Sequence, residues 1–179
     1  MTRKTSTAIA VLAIAALYTT GATPAHATVP AAEVVLVSQP LRDLQPASAD
    51  PLDGARATLL MVNEAGRSQV MMQIQGIERS AAGRTFGAHL HVGPCVAGEP
   101  AAAGPHYNAD VAAGLLPARV GPTTEVWLDF TVNPAGAATA VAHVPFIPVP
   151  GNHSVVIHRD PTDEHGIAGP RLACLPVSW

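Results

Sequence analysis

From about residue 55 onward, apolar and polar positions alternate in short runs separated by turn residues. Ala57-Thr-Leu-Leu-Met-Val62 reads as a strand ended by the turn cluster Asn63-Glu-Ala-Gly66, and Gln69-Val-Met-Met-Gln-Ile-Gln75 as a half-buried strand. Phe86-Gly-Ala-His-Leu-His-Val92 is a third candidate. Glu125-Val-Trp-Leu-Asp-Phe-Thr-Val132 is a fourth, with Val126, Leu128, Phe130 and Val132 on one face because strand side chains alternate. Ala137 to Phe146, Ser154-Val-Val-Ile-His158 and Leu172-Ala-Cys-Leu175 complete the set, with Asn133-Pro-Ala-Gly136 as a turn. The chain holds 17 prolines and 15 glycines, which interrupt any long helical pattern. Short strands with Gly/Pro turns predict an all-β sandwich or barrel.

The first 54 residues follow another pattern. Arg3 and Lys4 precede an apolar run from Thr7 to about Tyr18, and Ala25-His26-Ala27 is a small-x-small cleavage pattern. Residues 1–27 therefore read as a secretory signal peptide, with an apolar run too short for a membrane span, and the protein is expected to be exported. Residues 28–54, rich in Ala, Pro, Ser and Asp, read as an N-terminal arm with one strand candidate, Glu33-Val-Val-Leu-Val37. Residues 55–179 form the domain.

Charge narrows the partners. The formal net charge is −3, and loss of Arg3 and Lys4 lowers it by two more units. A mildly acidic chain without basic clusters is a poor nucleic-acid binder, and nothing indicates a membrane partner. Exposed apolar strands could support a homodimer. Two cysteines, Cys95 and Cys174, are present, and in an exported protein a disulfide is their default state, with two buried thiols as the alternative.

Four histidines stand in informative contexts. His89 and His91 are two apart on a strand candidate, so both rings project from one face. His106 lies in the loop sequence Gly104-Pro-His-Tyr-Asn108, and His158 ends an apolar strand. Each alone is either a packed core histidine or a metal ligand. Arg171, in Gly169-Pro-Arg-Leu-Ala-Cys174, is either a surface arginine or a cation held near the metal.

Taken in order, Gly87-Ala-His-Leu-His-Val92, Gly104-Pro-His-Tyr-Asn108, Ser154-Val-Val-Ile-His158 and Gly169-Pro-Arg-Leu-Ala-Cys174 resemble the copper-site motifs of Cu/Zn superoxide dismutases. The resemblance covers roughly Ala55 to Val177. It implies a Greek-key β-sandwich or barrel, with His89, His91, His106 and His158 as copper ligands and Cys95–Cys174 as the disulfide. It also implies that Arg171 guides the superoxide anion to the metal.

The chain departs from the zinc-containing pattern in two places. Between His106 and Glu125 it has no histidine and, of the expected carboxylate ligands, offers only Asp110, too few for a closed four-ligand zinc site. The stretch from Arg159 to Pro170 is also short. Both features resemble the copper-only branch, so copper without zinc is expected. A ligating imidazole needs its second nitrogen held. For His106, Glu125 is the candidate holder, with Asp110 and Asp129 as alternatives. His143, His153 and His165 are expected to be exposed, with His165 the one whose loop should pass near the site.

Four imidazoles suit Cu(II), and three can hold Cu(I). The resemblance implies a secreted dismutase that converts superoxide to oxygen and hydrogen peroxide, with His106 leaving the metal on reduction and carrying a proton. The alternative is an extracellular copper scavenger on the same fold with little turnover.

Overall fold

The structure, a computed structural model, describes residues 31–179; the expected signal peptide lies outside the described residues. Among the described residues ten strands form antiparallel sheets. In the first sheet the order is β1 (Glu33–Pro40), β3 (Arg56–Glu64), β4 (Arg67–Gln75) and β8 (Ala137–Val144). In the second it is β2 (Arg42–Asp43), β10 (Arg171–Ser178), β9 (Asn152–His158) and β6 (Ala88–His91). A small pair, β5 (Thr85–Phe86) and β7 (Phe130–Thr131), closes one side. The chain is an all-β sandwich, as the alternation predicts. Among the described residues no helix is long and apolar enough to cross a membrane.

The β3–β4 hairpin shows how local sequence sets register. Glu64 pairs with Arg67, leaving Ala65 and Gly66 as a two-residue loop with φ of 50° and 77°. Two positive φ values give the turn whose twist matches the flanking strands. The register then buries Ala57, Leu59 and Met61 of β3 beside Val70, Met72 and Ile74 of β4, while Thr58, Leu60 and Val62 face outward. Against these pack Val155 and Ile157 of β9, Leu175 and Val177 of β10, and the stacked pair Phe86–Phe130.

Three readings of the sequence are refined. Residues 31–54, read as an N-terminal arm with one strand candidate, pack on the sandwich. β1 pairs with β3 along its whole length, the chain crosses at Leu41, and β2 pairs with β10 in the opposite sheet. Leu44 and Leu52 are buried, and Gln45 donates from Nε2 to the Arg171 carbonyl at 2.8 Å. The Glu125–Val132 run shows the expected one-sided burial, but Glu125 and Trp127 make only isolated bridges and regular pairing is confined to β7. The strand expected over 86–92 is broken at Gly87 into β5 and β6.

The second sheet is buried on both faces. Its outer face is covered by the loop after β6, where Cys95 bonds Cys174 of β10 among Leu44, Ala103 and Val156. Arg42 donates to the Cys95 carbonyl at 2.7 Å. The bond closes a loop with a sequence separation of 79, and on the chain-entropy model a closure of that size contributes about 4 kcal/mol. The double variant Cys95→Ser/Cys174→Ser should lose about 2–4 kcal/mol in urea denaturation of the metal-free protein; a loss below about 0.5 kcal/mol would show that the loop is held without the bond.

Candidate metal centre

The outer face of β6 carries the site. Ala88 and Leu90 point into the sandwich, so His89 and His91 point out, and pairing sets them opposite Val156 and Ser154 of β9. His158 closes β9 on that same outward face. On the other edge of β6, His106 bridges to His91 and Trp127 to His89. The four rings thus come from β6, the end of β9 and the segment returning from the disulfide loop. One nitrogen from each of His89, His91, His106 and His158 lies within 4.8 Å of the other three. His89, His91 and His158 are buried, while His106 is partly exposed.

The hydrogen bonds settle which nitrogen of each ring is free. His91 Nδ1–H donates to the Gly104 carbonyl at 3.0 Å, and His158 Nδ1–H to the Gly169 carbonyl at 3.0 Å. A carbonyl only accepts, so in both rings Nε2 carries the lone pair. His106 Nδ1–H donates to Glu125 Oε2 at 2.9 Å, which frees His106 Nε2. His89 is held by the opposite nitrogen. Thr162 Oγ1 donates its proton to Asp129 Oδ1 at 2.6 Å and accepts from His89 Nε2–H at 2.7 Å. His89 Nδ1 is left buried without any partner.

Four lone pairs therefore converge with no proton among them. His91 Nε2 and His158 Nε2 lie 3.3 Å apart with neither able to donate. Burial first, then the neighbouring imidazoles, pushes His89 down to about 2. Burial also drives His91 down to about 3 despite its bond to Gly104. His158 is lowered, again chiefly by burial. Neutral imidazoles with an orphaned buried nitrogen and outward N–H groups anchored on oxygen are a donor set for a metal ion. The cluster fits one.

Several supporting groups differ from expectation or escaped it. Glu125 is buried and accepts from His106, from Trp127 Nε1 at 2.9 Å and from Asn108 Nδ2 at 3.1 Å. Burial raises its carboxyl, but the three hydrogen bonds outweigh this and hold it below its ordinary value. Asp110 does not orient His106: the Arg119 guanidinium grips both its oxygens at 2.8 and 2.9 Å. Asp129 does not reach His106 either, and serves His89 through Thr162. His153, expected to be exposed, is buried, its ring nitrogens facing the carbonyls of His91 at 3.2 Å and Val149 at 2.8 Å. His143 is exposed, and His165, also exposed, stays outside the cluster.

Two glycines make the cradle. A Cβ on Gly87 would sit 2.6 Å from Ala168 Cβ and 2.9 Å from Thr162 Oγ1, so only glycine lets the 160–168 loop reach His89. Gly104, at φ 68°, turns its carbonyl toward both His91 and Arg171. Arg171 donates from Nη1 to the Pro100 carbonyl and from Nη2 to the Gly104 carbonyl, both at 2.6 Å. It is half-buried, with burial lowering its pKa, and its charge disfavours protonation of His91 and His158.

No family model matches the chain. No curated protein matches it. Among solved structures it is similar to one described as a crystal structure of the clock protein EA4, with a TM-score of 0.56 and 17% identity. The match covers 87% of this chain and 99% of that one. At that identity the likeness is one of fold.

Two outcomes follow from the bonding. Thr162→Val removes the acceptor for His89 Nε2–H and should weaken metal binding about 10–100-fold in a chelator competition, with the fold unchanged; unchanged affinity would remove Thr162 from the site. In the metal-free protein, His89 and His91 resist protonation down to about 2 and about 3, whereas the unfolded chain takes up those protons near 6.5. The unfolded state binds more protons in that window, so stability rises with pH there and falls as pH drops from 6.5 toward 3. Thermal unfolding against pH should show this slope, reduced in His91→Gln; an identical slope in that variant would contradict the assignment.

Proposed function

We propose that the chain is a secreted, copper-dependent superoxide dismutase of the Cu/Zn superoxide dismutase type working without zinc. The observation that carries the reading is the four-imidazole cluster in which each ring has its outer nitrogen tied to oxygen. All-nitrogen donors favour copper over the other first-row divalent ions. Copper held by His89, His91, His106 and His158 would supply the one-electron change that turns two superoxide anions into oxygen and hydrogen peroxide. A metal-only structural role would be served by a closed site. Here one of the four rings is open to solvent, with the His106 side chain 19% exposed against 0% for His89.

The protein groups then divide the work. His89, His91 and His158 are buried on strands and anchored by Thr162, Gly104 and Gly169, respectively. His106 is the ring at the surface of the cluster. Glu125, fixed by Trp127 and Asn108, keeps a proton on His106 Nδ1. That leaves His106 Nε2 as the atom able to hold a second proton and pass it to a reduced oxygen species. With Asp110 committed to Arg119, no carboxylate beside His106 is free to complete a zinc site.

Superoxide is an anion and the protein is net acidic, so local charge has to draw it in. Arg171 is the cation close to the cluster, and its two carbonyl bonds fix the guanidinium while leaving other N–H groups for an anion. The disulfide suits an oxidising compartment, in keeping with export.

The test is dismutation by copper-loaded protein, compared with Arg171→Ala. The wild type should turn over fast. The variant should keep its copper, lose about tenfold or more in kcat/KM and show a weaker dependence on ionic strength. Full copper occupancy with negligible dismutation would instead make the protein a copper scavenger, and unaltered activity and salt dependence in Arg171→Ala would remove the anion-guiding role.

A further inference from the structure

The strand that carries Arg171 is irregular just where Arg171 stands. Val177, Leu175 and Ala173 of β10 face the core, so plain alternation would turn Arg171 inward as well. Instead the pairing with β9 slips: Ala173 lies opposite Ile157 and Arg171 opposite His158, which leaves Leu172 as an extra residue. Leu172 fills the core beside Ala173, and Arg171 comes out on the outer face, where its guanidinium meets the carbonyls of Pro100 and Gly104. A bulge that re-aims one side chain also takes backbone groups out of the ladder, and these must bond elsewhere.

The segment just after the crossing at Leu41 supplies those bonds. Leu44 N–H donates to the Leu172 carbonyl at 2.8 Å, and Gln45 Nε2–H to the Arg171 carbonyl at 2.8 Å. Two consecutive carbonyls of the bulge are thus held from one side. Gln45 is set in turn by Asp43, which pairs with Ala173 and accepts from Gln45 N–H on Oδ1 at 2.6 Å. The same segment ties down the loop on which the guanidinium lands. Arg42 Nη1 donates to the Cys95 carbonyl at 2.7 Å, and Gly98 N–H to the Asp43 carbonyl at 2.9 Å. Residues 42–45 therefore fasten both the backbone from which Arg171 departs and the loop that receives it. The Gln45 bond comes from a side chain and goes to Arg171 itself, so one substitution removes it.

We propose that Gln45 is a positioning residue for Arg171, locking the β10 bulge that aims the guanidinium and acting through Arg171 rather than on the metal. Its effect on turnover rests on the dismutase reading above, whereas its hold on the guanidinium does not.

Gln45→Met keeps the length of the side chain and removes the donor. In the metal-free, disulfide-bonded protein, solvent exchange of the Arg171 Nη–H protons, followed by NMR, should quicken about fivefold, the worth of one neutral hydrogen bond. In the copper-loaded protein, Gln45→Met should lower kcat/KM for superoxide about three- to fivefold and cost nothing further in an Arg171→Ala background, because the two residues act as one unit. Copper affinity in a chelator competition should stay unchanged. Unaltered exchange of the Arg171 protons would overturn the proposal. So would an equal loss of kcat/KM with and without Arg171, or no loss in Gln45→Met where Arg171→Ala loses activity. Faster exchange in a protein whose dismutation Arg171→Ala leaves unaltered would uphold the hold on the guanidinium and remove the anion-guiding role instead.

Discussion

Four imidazoles can aim lone pairs at one point only if each has its other nitrogen tied down. That constraint governs this structure. Left alone, such rings would rotate, change tautomer or share protons. Here two backbone carbonyls, one carboxylate and one threonine hydroxyl fix every ring. Each anchor depends in turn on a larger element. The Gly104 carbonyl sits in the loop fastened by Cys95–Cys174, the Gly169 carbonyl precedes β10, and Thr162 reaches His89 only because residue 87 lacks a side chain. The cost of aligning four neutral bases in a buried site is met by the fold, and a cation bound among them would relieve it.

The fold divides its two sheets between packing and chemistry. The first sheet buries one face and leaves the other to solvent. The second is buried on both, because the disulfide loop lies over its outer surface beside Val156 and Leu44. A strand such as β9 therefore serves two environments at once. Val155 and Ile157 fill the core, while Val156 faces the disulfide loop and His158 the histidine cluster. Strand alternation alone makes this possible, since a one-residue shift would exchange ligand for core.

Much of this was legible in the residues. Hydrophobic alternation marks the strands of the two sheets, whereas His89, His91, His106 and His158 are tied together in the sequence only by the resemblance of their motifs to a copper site. Glu125 is legible from its place at the start of the strand that follows the histidine-free loop after His106. What escaped had no local signal. Backbone carbonyls at Gly104 and Gly169 have no identity in a sequence. Thr162 sits in a polar turn, and only the close passage at Gly87 brings it to His89. His153 looked like a strand-end residue because the carbonyl of Val149 and the ring of Trp179 reach it through tertiary packing. In the segment before residue 55 the strand at Glu33–Val37 is legible, but its pairing with β3 and the return of the chain to β10 are set by tertiary contacts.

The most direct test of the account is the metal content of protein saturated with copper and zinc together and then freed of loosely held ions, measured by elemental analysis. One copper and no zinc per chain, lost together in a variant with His89 and His158 both changed to alanine, is the predicted result. An equal amount of zinc, or copper retained in that double variant, would contradict a single copper centre built from these four histidines.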